Sequence, residues 1–253
     1  FPSGAVIDSG NSDTNLCMTC HQGRESTVSV NKQLNGLDPD TVSTKLRFQN
    51  VHYFAAGATL FGTEAKGAYE YPNKTYAGRN EHVSAYSNCT DCHDTHSLTV
   101  KVEACAGCHQ GISTAEDLTK IRMSKADYDG DGNTQEGIAE EIQTYYDLVY
   151  KAMQDYAVSV TGTGILYDGN QYPYFFVDKN NNGVVDDGEA VSDNAFKAWT
   201  PRLLQAAYNY QYVTKDPGAY AHNSTYILQV LYDTLQDLGV KVPVSMQGLQ
   251  RAG

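Results

Sequence analysis

All six cysteines of the chain fall in one repeated pattern, Cys-x-x-Cys-His. The copies are Cys17–Cys20–His21, Cys89–Cys92–His93 and Cys105–Cys108–His109. Disulfides would use the thiols but do not call for a histidine after each pair. Zinc accepts such pairs, but at four ligands per ion six cysteines divide badly. A redox dithiol needs one copy, not three. Covalent attachment of haem c accounts for every element. Two thiols form thioethers to one porphyrin edge, and the next residue sets its imidazole on the iron. Three haems c are therefore expected, with His21, His93 and His109 as proximal ligands. Haem c is attached after export, so the chain is expected to work outside the cytoplasm.

Each haem iron has a second axial position, and His52, His82, His96 and His222 are the remaining histidines. Met123, Met153 and Met246 are the other ligand types available, while Met18 lies inside a motif and is sterically unsuited to its own iron. Three of the four spare histidines suffice, and the sequence leaves open which one is surplus. His96 follows His93 by three residues. His222 lies just ahead of a helical pattern. His52 lies in an apolar, aromatic stretch, and His82 precedes the second motif by seven residues. An iron with two imidazoles has no open position for substrate, which points to single-electron transfer rather than bond chemistry.

Two acidic stretches match calcium-loop spacing. In "DKNNNGVVDDGE", Asp178, Asn180 and Asn182 fall at positions 1, 3 and 5, with Gly183 at the sharp turn. Val184 offers a carbonyl, Asp186 stands at position 9 and Glu189 at position 12. The second stretch is looser. Asp127, Asp129, Asp131 and Asn133 are spaced for ligation, but position 12 is Ile138, so Glu136 or Glu140 must substitute. One or two structural calcium ions are expected.

The elements that hold these residues follow from periodicity. Residues 1–115 carry all three motifs and little helical period, so coil, short turns and chain wrapped around haem are expected there. "AYEYPNKTYAG", residues 68–78, reads as a β-hairpin. In 116–253 the pattern changes. Ile138, Ile142, Tyr145, Val149, Met153, Tyr156 and Val160 recur at three and four, predicting a helix ended near Gly162. Thr200-Pro201 reads as N-cap and first residue of a second helix to about Val213. Asp216-Pro217-Gly218 breaks it, and Asn223 or Ser224 caps a third that ends at Gly239. The fold class expected is mainly α with large coil content, a haem-filled centre, one hairpin and C-terminal helices. A triple-haem region (1–115) and a helical region with the calcium loops (116–253) are expected to pack as one unit.

Bulk properties narrow the function classes. The 253 residues carry a net charge of −12, which disfavours nucleic acid and anionic membrane surfaces. No eighteen-residue apolar run exists, so no membrane span is expected. The start "FPSGAVIDSGNSD" has neither a basic nor an apolar leader and reads as a mature chain. Aliphatic residues are few for this length, so macrocycles are expected to fill part of the core.

The segments "CMTCHQGRES", "NVHYFAAGATLFG", "CTDCHDTH", "CAGCH" and "RLLQAAYNYQYVTKDPGAYAHN" resemble the multihaem c-type cytochromes of metal-respiring and thermophilic prokaryotes. Within that group the chain resembles the small secreted cytochromes that polymerise into extracellular nanowires. The resemblance implies a stack of bis-histidine haems running through a homopolymer, with a distal histidine often donated by the next subunit. The familiar filament subunits have four or more haems, against three motifs here. Four functions compete: a filament passing electrons to external acceptors, a monomeric periplasmic or cell-surface shuttle, a reductase with one open haem, and a calcium-dependent binding module. A surplus of histidines disfavours the reductase. Three haems exceed what a structural role needs, which places the binding module last.

Overall fold

A computed structural model describes residues 1–253. The chain is mainly α-helical, with much coil and one two-stranded antiparallel hairpin. The helices are α1 (Ser12–Cys20), α2 (Thr27–Leu34), α3 (Ala56–Phe61), α4 (Cys89–Cys92), α5 (Val102–Ala106), α6 (Ile138–Tyr156), α7 (Pro201–Thr214) and α8 (Ala219–Leu238). Strands β1 (Gly164–Tyr167) and β2 (Phe175–Asp178) pair with Gly164 opposite Asp178 and Tyr167 opposite Phe175.

The three long helices form where the apolar spacing predicts. On α6, Ile138, Ile142, Tyr145, Val149, Met153 and Tyr156 are buried on one face. A wider turn over 157–161 ends it, and Gly162 closes it in the left-handed region at φ 70°. Thr200 caps α7: its Oγ1 accepts the Leu203 N–H at 3.2 Å, with Pro201 next in line. Asn223 does act as a cap, its Oδ1 accepting the Tyr226 N–H at 3.1 Å. It does so inside α8, because one further helical turn, 219–222, precedes it across a kink at φ −168°, ψ 76°. That extra turn carries His222.

The hairpin expected at 68–78 does not form. That segment has no ladder, because side chains from the helical half take its backbone groups. The Tyr69 N–H donates to Asn209 Oδ1 at 2.7 Å, and the Tyr69 carbonyl accepts from Asn209 Nδ2 at 3.1 Å. The Ala77 N–H donates to Gln229 Oε1 at 2.7 Å. The actual hairpin, β1–β2, is held by apolar residues on both strands: Ile165, Leu166, Phe175 and Phe176 are all buried.

The core is also less thin than the aliphatic content suggests. One apolar cluster runs from Met18, Val30 and Val51 through α3 to α6, α7 and α8. Tyrosine supplies much of it: Tyr145, Tyr156, Tyr208, Tyr212 and Tyr226 are fully buried. Burying such a ring contributes on the order of 2 kcal/mol, and each buried hydroxyl then needs a partner. Tyr208 Oη donates to the Gly67 carbonyl at 2.7 Å, and Tyr212 Oη accepts from Thr59 Oγ1 at 3.2 Å. The helix α7 is buried almost all round, and it pins the 51–69 segment through Asn209, Gln211, Tyr208 and Tyr212. By contrast, no residue of 72–117 is buried. That stretch holds the second and third motifs and has no apolar core of its own.

Candidate haem sites

Each motif sits at a short helical turn: the first lies at the end of α1, the second in α4, and the third begins in α5 and runs past its end. Cys17 and Cys20 end α1, and the His21 N–H closes the turn on the Cys17 carbonyl at 2.9 Å. Cys89 and Cys92 bound α4, and the His93 N–H donates to the Cys89 carbonyl at 2.9 Å. The His109 N–H does the same to Cys105 at 2.9 Å. The turn thus sets the histidine at a fixed place beside its thiols in all three copies. All six cysteines are free of disulfides. Burial pushes the Cys89 and Cys92 thiols up, the opposite of what a reactive redox dithiol requires.

The motifs form a row. The Cys89 N–H donates to Thr14 Oγ1 on α1 at 3.2 Å, and the Cys17 thiol lies beside Cys89. Lys101, which precedes α5, donates its N–H to the Cys92 carbonyl at 2.8 Å and its Nζ to the Thr90 carbonyl at 2.7 Å. The first motif therefore touches the second, and the second touches the third.

Two of the four spare histidines stand opposite motif histidines. The His93 and His222 ring centres are 6.3 Å apart, and so are those of His82 and His109. A metal–nitrogen bond of about 2 Å on each side, plus about 1.1 Å from nitrogen to ring centre, gives about 6.2 Å between two imidazoles sharing one ion. Both pairs stand at the separation that two axial ligands of one iron require. The residues present fit haem.

The His222 site is the more elaborated. Its Nδ1 lies 2.7 Å from Asp216 Oδ1, so Nε2 is the atom left for a metal. Asp216 is buried, and the Gly218 N–H at 3.2 Å helps hold its carboxylate. Burial pulls the His222 imidazole down, but the charge and hydrogen bond of Asp216 outweigh it and raise it overall. Asn80 Nδ2 donates to the His222 carbonyl at 2.8 Å and anchors this turn to the loop before the second motif. On the facing side, burial lowers His93, and the charges of His222 and His21 add to that.

His21, His52 and His96 complete the set. The ring nearest His21 is Phe54, parallel to within 11° at 6.3 Å. The segment bearing Phe54 is tied to the motif: the Gly23 N–H donates to the Phe54 carbonyl at 3.1 Å and the Gly57 N–H to the His21 carbonyl at 2.7 Å. His52 is on that segment, at φ 67°, with its ring edge-on to Tyr53 at 4.4 Å. His96 lies in an exposed turn built by Asp94, whose Oδ1 accepts the N–H groups of His96 at 2.9 Å and Ser97 at 2.8 Å. That turn folds Val100 back to pair with His93, leaving His96 outside the row.

Sequence reasoning did not single out Asp216, Asn80 or Phe54. Asp216 had a signal, since it stands six residues before His222 in a helix-breaking triplet. The other two had none, because their roles depend on contacts with distant segments.

The acidic loops adopt closed turns. In 178–189, Asp178 Oδ2 accepts the Gly183 N–H at 2.8 Å, and Glu189 accepts the N–H groups of Lys179 at 2.9 Å and Asp186 at 3.1 Å. In the second loop, Asp127 accepts from Gly130 at 2.7 Å and Gly132 at 2.9 Å, and Asp131 accepts from Asn133 at 2.6 Å. Asp129, Asp131 and Glu136 converge, as do Asp127, Asp129 and the buried Glu141. Burial and the charges of Asp129 and Asp131 push Glu136 up to about 7. Glu141, absent from the sequence-based ligand set, arrives from the first turn of α6 and accepts the Asp129 N–H at 2.7 Å.

Comparison with known proteins finds polyheme c-type cytochromes. Over 258 aligned residues the chain is 31% identical to the C-type polyheme cytochrome OmcB of Geobacter sulfurreducens, covering 88% of this chain. It is also 31% identical to OmcC of the same organism over 252 residues. The chain is a homologue of the multihaem c-type cytochromes. This cytochrome homologue spans about 30% of the length of those relatives. No family pattern and no solved structure matches it. None of its helices is long and apolar enough to cross a membrane.

Proposed function

We propose that this cytochrome homologue is an exported electron carrier that binds three haems c and passes single electrons along them. The observation that carries the reading is the row of touching motifs with two imidazole pairs, His93/His222 and His82/His109, each at 6.3 Å. Cys17/Cys20, Cys89/Cys92 and Cys105/Cys108 would hold the porphyrins. Two imidazoles per iron leave no substrate position, so the groups exchange electrons and not bonds. The segment 72–117, without buried residues of its own, would gain its packing from the macrocycles.

We further propose that the chain is a subunit of an extracellular conductive filament, with external oxidants as final acceptors. His96 is exposed beside Leu98, which is 84% exposed, and so is free to reach a neighbouring copy. His21, at the other motif, faces Phe54 and not an imidazole. His96 of one copy on the His21 iron of the next would continue the row between subunits. The monomeric shuttle is favoured by a different observation: the 51–57 segment is already bonded to the 21–24 segment, so in that reading His52 would serve the first haem within the same chain.

The test begins with mass spectrometry of the intact polypeptide, which should show three covalent haems. Fewer than three would overturn the count. Spectra insensitive to carbon monoxide exclude the reductase. Sedimentation and negative-stain imaging then compare the native chain with His96→Ala and His52→Ala. Fibres lost in His96→Ala support the filament. A monodisperse native chain whose first haem turns high-spin in His52→Ala refutes it and leaves the shuttle.

A further inference from the structure

We infer that the loop 178–189 is a calcium site that ties the hairpin to α6, independently of the haems. The sequence spacing alone would be compatible with a solvated acidic turn. The burial argues otherwise. Asp178 and Glu189 are 4% and 3% exposed. Asp178 Oδ2 is held inside the loop by the Gly183 N–H, while Asp178 Oδ1 is buried with no hydrogen-bond partner. A buried, unpaired carboxylate oxygen is destabilising unless a cation meets it. Each ion pair in the molecule lies elsewhere: none involves Asp178, Asp186 or Glu189.

The donor set is all oxygen. Asn180 Oδ1 and Asn182 Oδ1 each accept one backbone N–H, from Asn182 at 3.0 Å and Val184 at 2.9 Å, and keep a second lone pair. Asp186 Oδ2 draws the Nδ2 groups of Asn180 and Asn182 to 2.7 and 2.8 Å, so these three side chains converge. Glu189 supplies a carboxylate at the twelfth position, and Val184 a carbonyl at the seventh. Six or more oxygens on a flexible loop suit calcium. Magnesium prefers a tight octahedron with several retained waters, and thiolate- or imidazole-seeking metals find no ligand here.

The loop is fixed from outside as well. Gln154 Nε2 on α6 donates to the Gly183 carbonyl at 2.9 Å, and Asn194 Nδ2 bridges the Val177 and Glu189 carbonyls at 2.7 and 2.9 Å. Gly183 sits at φ 82°, with Gln154 against the place a side chain would take. An ion inside the loop therefore joins β2, α6 and the following turn.

The experiment uses the haem-bearing chain, stripped with chelator and titrated calorimetrically with calcium alone, then with magnesium alone. The native chain should bind calcium, with an affinity at least tenfold weaker in Asp186→Asn and lost in Glu189→Gln. Asp186 is exposed, so its substitution leaves the fold intact, which far-UV circular dichroism checks. Asp129→Asn, in the other acidic loop, must leave this binding event in place. Saturating calcium should raise Tm by about 5–10 °C in the native chain and less in Asp186→Asn. The inference is overturned if the native chain ignores millimolar calcium. It is equally overturned if Asp186→Asn and Glu189→Gln bind as the native chain does, or if all binding disappears with Asp129→Asn.

Discussion

If the three haems bind as proposed, Asp216→Asn should raise the reduction potential of one and leave the other two in place. The carboxylate lies 2.7 Å from Nδ1 of His222. Adding about 2.2 Å across the ring and about 2 Å for a metal bond would put it roughly 7 Å from an iron held by His222. At an effective dielectric constant of about 20, one negative charge at that distance stabilises an extra positive charge by roughly 2.4 kcal/mol. Screening is small, since the Asp216 side chain is 1% exposed. In the proposed haem the oxidised state would carry the extra positive charge, so the carboxylate would favour it and hold the potential down. At 59 mV per factor of ten in a one-electron couple, 2.4 kcal/mol is about 100 mV. The amide keeps part of the hydrogen bond, so the expected rise is about 50–100 mV. An optical redox titration resolves it as one of three components moving. Three unchanged components would refute the ligand assignment of His222. A uniform shift of all three would refute the local electrostatic reasoning.

Three further outcomes concern the scaffold. Burial would raise the Asp40 carboxyl, but Arg202 at 2.7 Å, Tyr156 at 2.8 Å and Lys241 at 3.1 Å outweigh it and lower it to about 2. Its stabilising effect is therefore present above about pH 4 and fades as pH falls toward 2. Asp40→Asn should cost about 1–2 kcal/mol at pH 7, allowing for its partial exposure, and the Tm gap from the native chain should close by pH 2. Thr200→Ala removes the α7 cap and a 2.9 Å contact with Tyr156 Oη; denaturant unfolding should show a loss of about 1–2 kcal/mol. Gly62→Ala places a Cβ 2.2 Å from the Ala77 carbonyl at φ 50°, so thermal melting should show a clear destabilisation, about 2 kcal/mol or more.

The chemistry was legible because it is written in local spacing. Two thiols and an imidazole within five residues need only one helical turn to converge, and each copy here makes that turn. The long helices α6 and α7 were legible for the same reason, through period and caps. The hairpin was misplaced because alternation around "PNK" describes a local preference, and Asn209 and Gln229 from distant helices outcompete a ladder for that backbone. The spare histidines could be counted but not paired with motif histidines. Pairing His82 with His109 and His93 with His222 requires loops from separate regions to arrive at 6.3 Å. Sequence separation carries no information about that. The sequence by itself determined the cofactor chemistry and the positions of the acidic loops, because short-range stereochemistry fixes both. Only the tertiary structure decided which imidazoles face each other, that Asp216 orients His222, and that Asp178 is buried with a bare oxygen, since burial and cross-chain distance are properties of the packed whole.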